Sequence, residues 1–154
     1  MSVKDAARKQ YVRMADAAAG QLAALKKPSE GWLVTLRKAL GMSGAEVAAR
    51  MGVSRNAIYQ AERNEKDGAI TLKQMEKLAE ALGGRFVYAV IPEGGVDEVM
   101  RLQARRKAEA RIRRASSHMA LESQSLSAQQ TRQKIDDLTE ELLREMPPDF
   151  WEVK

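Results

Sequence analysis

The chain has 154 residues, a net charge of +5, and 44% hydrophobic but only 5% aromatic side chains. It has no cysteine and one histidine, His118, which excludes disulfides, thiolate metal centres, a cysteine nucleophile and any multi-histidine metal site. No apolar run reaches the length of about 18 residues that a membrane span needs, and the N-terminus lacks the apolar stretch of a signal peptide, so a reduced, cytoplasmic setting is expected.

Alanine is abundant, while glycine and proline are few. Alanine loses no side-chain entropy in a helix, so a mostly α fold is expected. Three regions are expected: an N-terminal helix over 1–28, a domain of short helices over 29–95 with a terminal strand, and a helical region over 96–154.

Residues 3–26 predict a helix with Tyr11, Ala15, Ala18, Leu22 and Leu25 on one stripe. Lys27-Pro28 ends it, because the residue before proline leaves the helical region. Trp32, Leu36 and Leu40 mark a second helix stopped by Gly41, with Trp32 as a core anchor. Ser43-Gly-Ala-Glu46 is a capping box, followed by Val47, Ala48 and Met51 as an apolar face. Ser54 caps the next helix, 55–63, and 64–68 reads as a polar loop. Thr71 opens a helix with Leu72, Met75, Leu78, Ala79 and Leu82 on its stripe, closed by Gly83-Gly84.

Residues 85–91, RFVYAVI, are short, β-branched and aromatic, and predict the one strand. One strand needs a partner for its backbone groups; pairing with a second copy across a dimer axis is expected. Residues 97–114 predict a very basic helix. Ser127-Ala-Gln-Gln130 is a weaker capping box for a helix with Ile135, Leu138, Leu142 and Met146 on one face. Pro147-Pro148 ends it. Phe150 and Trp151 then either dock back on the protein or fill a groove of a partner.

Charge is unevenly spread. Residues 101–114 hold seven basic side chains against one acid, and 136–154 hold seven acids against two bases. A polyanion near the basic parts is one reading. The acidic C-terminal helix folding back on the basic one is another.

The chemistry gathers at Gly52-Val53-Ser54. Two short helices joined there make a helix–turn–helix, whose second helix enters a major groove while the first braces it. Val53 and Ile58 are expected to face inward. Ser54, Arg55, Asn56, Tyr59, Gln60 and Arg63 then face outward, with Ser43 at the start of the bracing helix. Arginine reads guanine edges, Asn and Gln read adenine, and Ser or Tyr hold phosphates.

Residues Gly41 to Arg63 resemble the phage-repressor-like (XRE/Cro) helix–turn–helix family, with Ala48, Gly52, Val53, Ser54, Ile58 and Glu62 at fitting positions. The likeness covers roughly 31–84. It departs at Gly44, where such domains often carry a glutamine that supports a phosphate or base contact.

A broader resemblance spans nearly the whole chain. Gly31-Trp32-Leu33, Asp67-Gly68-Ala-Ile-Thr-Leu72, Gly84-Arg-Phe-Val-Tyr-Ala-Val-Ile-Pro92 and His118-Met-Ala-Leu-Glu122 look like the mobile mystery protein A family. Members are encoded beside a Fic-domain protein. The resemblance implies an antitoxin that restrains a Fic AMP-transferase and represses its own operon. It also implies an inhibitory glutamate on a helix, preceded at four residues by Ser or Thr. No strict match exists. Glu122 is nearest, with His118 four residues before it, Ser117 one residue too early, and Ser123 after it.

The expected protein is therefore mostly α, with a repressor-like helix–turn–helix domain, one short strand and helical extensions at both ends. Its expected partners are a Fic-domain toxin, double-stranded operator DNA and a second copy. No cofactor is expected and no enzyme activity, since no phosphate-cradling glycine loop or carboxylate pair stands out. The alternative is a plain dimeric repressor with no toxin partner.

Overall fold

A computed structural model describes residues 2–121 and 126–152. Among these, the helices are α1 (Val3–Leu22), α2 (Trp32–Ala39), α3 (Gly44–Met51), α4 (Arg55–Asp67), α5 (Leu72–Ala81), α6 (Val96–Leu121) and α7 (Ala128–Glu145). The chain forms two compact units. One is residues 24–89, with α2 to α5; the other joins 1–23 to 90–154, with α1, α6 and α7.

In residues 24–89 most helix starts follow from adjacent side chains. The Ser43 hydroxyl accepts the Glu46 N–H at 3.1 Å, and the Glu46 carboxylate accepts the Ser43 N–H at 3.1 Å. The Ser43 N–H, and then its hydroxyl, hold the Glu46 carboxyl below its ordinary pKa. Ser54 and Thr71 cap α4 and α5 through the N–H groups of Ala57 and Gln74. Each such cap is worth about 1 kcal/mol.

Helix α2 has no cap of its own. Glu65, from α4, supplies one: its two oxygens accept the N–H groups of Trp32 at 2.7 Å and Leu33 at 2.9 Å. Gly31 makes room for this carboxylate. Its φ is +93°, and a Cβ there would stand 2.7 Å from a Glu65 oxygen. At the turn between α3 and α4, Gly52 takes the left-handed conformation with φ +69°, where other residues pay a steric cost.

The core of this unit is Leu33, Val47, Ala48, Ile58, Ala61, Met75, Leu78 and Leu82. Burying side chains such as Leu33, Val47 and Ile58 contributes about 1.5–3 kcal/mol each. Arg50 reaches from α3 to the Ala81 carbonyl at the end of α5, at 2.8 Å.

Several sequence expectations need correction. Residues 85–91 are not a strand. They make no backbone hydrogen bond among the described residues, and no described segment runs beside them as a strand. Their β-branched composition is a local preference, and a ladder needs a second row of partners. Phe86 packs on the core and stacks on Tyr88 at 5.7 Å, while Val87, Tyr88 and Val90 are exposed.

Ile58 is buried as expected, but Val53 is 43% exposed and does not brace the turn. Trp32 is 40% exposed. It lines an open apolar groove with Leu25, Leu36, Phe86 and Val87 instead of anchoring the core. The predicted loop 64–68 is mostly the last turn of α4, and α1 stops at Leu22.

In the other unit, α6 and α7 run antiparallel, as Arg101 pairs with Glu140 at 2.5 Å and Arg105 with Asp136 at 3.0 Å. Their seam holds Ala104, Ala108, Leu142 and Phe150. Alanine on α6 lets α7 and Phe150 lie close against its backbone. Lys107, only 6% exposed, meets the Asp149 carboxylate at 3.2 Å and donates to the Asp149 carbonyl. Gln103 donates to the Phe150 carbonyl at 2.8 Å.

Phe150 therefore docks back on the protein, while Trp151 stands edge-on to it and 54% exposed. The acidic helix does neutralise part of the basic one. In the same unit, the Asp16 carboxylate of α1 accepts the Val96 N–H at 2.8 Å and so caps α6.

Candidate nucleic-acid interface

At 100° per residue, Arg55, Asn56, Tyr59, Gln60 and Arg63 fall within one face of α4. The opposite face, Ile58, Ala61, Glu62 and Glu65, is buried. The bracing geometry explains why α4 can present that face firmly. Glu65 ties α4 to the first turn of α2. Glu62 pairs with Arg37 of α2 through two bonds, 2.6 and 3.1 Å, and the pair is largely shielded, at 12% and 10% side-chain exposure. Arg37 also donates to the Met42 carbonyl at 3.0 Å. The Glu62 carboxylate raises the Arg37 pKa above its ordinary value, so the guanidinium stays charged.

Arg55 and Asn56 are exposed and make no side-chain hydrogen bond among the described residues. They stand at the N-terminal end of α4, the part that reaches base edges in this architecture. Gln60 is engaged within the helix: it donates to Asn64 at 2.9 Å and accepts from Arg63 at 2.9 Å. These bonds align an amide and a guanidinium side by side. Ser54 accepts one N–H as a cap and its hydroxyl keeps a proton to donate, whereas the Ser43 hydroxyl is engaged with Glu46.

Tyr59 is the member of the set that does not face outward freely. It is half-buried, its ring tip lies against Gly44, and the Arg37 guanidinium sits 5.8 Å from its ring centroid. Sequence reasoning also missed Lys66, which the longer α4 brings onto the exposed face one turn beyond Arg63. The run of polar residues there reads as a loop, but Glu65 bonds to α2 and Gly68 closes the last turn in the left-handed conformation, and both keep it helical.

Ser117 and His118 are exposed at the end of α6, where Ser117 donates to the Arg113 carbonyl at 3.1 Å. Glu122 lies outside the described residues.

A protein-family model described as helix-turn-helix matches residues 33–88, the span of α2 to α5 and the segment that follows. The chain thus carries a helix–turn–helix domain, which supports a DNA-binding transcriptional regulator. No curated protein and no solved structure matches the chain. Among the described residues, no helix is long and apolar enough to cross a membrane.

Proposed function

We propose that the chain is a cytoplasmic repressor that reads operator DNA with the outward face of α4. The observation that carries this reading is the exposed row Arg55, Asn56, Gln60 and Arg63, on a helix whose other face is tied to α2 by Glu62 and Glu65. Two copies are required, because one short helix reads only a few base pairs and half-sites about 34 Å apart call for a two-fold dimer. Arg55→Ala or Gln60→Ala weakens specific binding by about 1–3 kcal/mol in a gel-shift titration. Unchanged affinity in both variants contradicts this assignment of the reading helix.

The finer reading assigns residues 96–154 to a Fic-domain AMP-transferase, with repression and inhibition in different parts of one antitoxin. Its support is the sequence resemblance around His118-Met-Ala-Leu-Glu122 and Gly84–Pro92. Glu122 is the candidate blocking residue, with Ser117 and His118 beside it. Affinity purification of the tagged chain from its host tests the pairing. A Fic-domain enzyme in near-equal amount supports it, and a DNA-bound dimer recovered without one leaves the plain repressor. In an adenylylation assay, Glu122→Gly releases the enzyme from inhibition; intact inhibition rules Glu122 out.

A further inference from the structure

Gly44 leaves a space at the start of α3, and Tyr59 fills it. A Cβ on Gly44 would lie 2.5 Å from the ring carbon Cζ and 2.7 Å from both Cε1 and the hydroxyl oxygen. No side chain fits at 44 while the ring is there. A second contact holds the ring. Arg37 lies within cation–π range of it, and Arg37 is itself fixed by Glu62 and the Met42 carbonyl. Side chains or backbone of α2, α3 and α4 therefore meet at one aromatic ring.

We propose that Tyr59 is a positioning residue. Wedged on the bare backbone of Gly44 and beside Arg37, it sets the angle between α3 and α4, and thereby aims Arg55, Asn56, Gln60 and Arg63. This rests on the reading that α4 contacts DNA. The sequence alone suggests a phosphate-holding role for Tyr59, but that would require the ring to swing out and give up both contacts.

The leverage is large. A tilt of about 10° moves a guanidinium about 10 Å from the pivot by about 2 Å, enough to break a bidentate bond to a base. Gly44 is the seat that admits the wedge, which accounts for the missing side chain at the first position of α3.

The test is a double-mutant cycle on the full chain, read by fluorescence anisotropy. The probes are the DNA just upstream of its own coding region and a scrambled duplex, at a temperature where circular dichroism shows every variant folded. Gly44→Ala and Tyr59→Ala each weaken binding to the upstream DNA by about tenfold. The double variant is no worse than the weaker single one, because both remove the same contact. Tyr59→Phe keeps the ring and binds within about twofold of the parent. Affinity for the scrambled duplex is unchanged throughout, which a general loss of structure would not give.

The proposal is overturned if Gly44→Ala binds like the parent, or if the two losses add. It is also overturned if Tyr59→Phe loses as much as Tyr59→Ala, which would make the hydroxyl a DNA contact. If the parent chain does not prefer its upstream DNA over the scrambled duplex, the DNA reading itself fails, and this inference falls with it.

Discussion

Residues 24–89 and the α6–α7 hairpin place their charges differently. In the first unit the carboxylates that matter are inside. Glu62 and Glu65 are buried on α4, and each fixes a group of α2 at a set distance and angle. Between the hairpin helices the ion pairs Arg101–Glu140 and Arg105–Asp136 are about half exposed, an apolar seam of two alanines, Leu142 and Phe150 holds the helices, and the buried Lys107 ties the tail at Asp149, beyond the end of α7. A directional buried bond fixes orientation, whereas an apolar seam with solvated charges tolerates sliding. The difference matches what each unit is proposed to do: one must hold a reading face at a fixed angle, and the other presents a surface to a protein partner.

The contrast can be broken by removing one group at a time. Glu62→Ala should do most harm, since it strands the shielded Arg37 charge; a loss of about 3–5 kcal/mol is expected in urea unfolding of the full chain. Phe150→Ala should follow, at about 3 kcal/mol, because it opens a cavity in the hairpin seam. Glu65→Ala leaves two helix N–H groups without a protein acceptor and should cost about 1–3 kcal/mol. Arg105→Ala should change stability by less than about 1 kcal/mol, as exposed pairs contribute little. A loss at Arg105 as large as that at Glu62 would abolish the distinction.

Acid sharpens it further. The hydrogen bond from Lys107, helped by Arg111, holds the Asp149 carboxyl below its ordinary value of 3.8. A depressed carboxyl contributes stability above its unfolded pKa and loses it as pH falls through the folded value. The C-terminal tail should therefore loosen below about pH 4, read as Trp151 fluorescence in a Trp32→Phe background. Asp149→Asn should remove that pH dependence.

What the sequence made legible was local. The caps Ser43, Ser54, Thr71 and Ser127 lie beside the turns they satisfy, and all four helix starts were readable from them. The apolar stripe of α7 and the burial of Ile58 were readable for the same reason. What joins distant positions was not. Nothing near Trp32 announces that Glu65 caps its helix, and nothing near Gly44 announces Tyr59. The segment 85–91 was misread because strand propensity is local while a ladder is not. The outward face of α4 was legible from its period, yet the inward turn of Tyr59 was hidden because its cause lies on α3.

The most direct measurement is the ratio of affinities for upstream and scrambled DNA, taken for the parent chain and for Arg55→Ala at one fixed salt concentration. If α4 reads the bases, the ratio falls by about tenfold or more in the variant while scrambled-duplex binding falls much less. An Arg55→Ala chain that keeps the parent's ratio would contradict the claim that α4 is the reading helix.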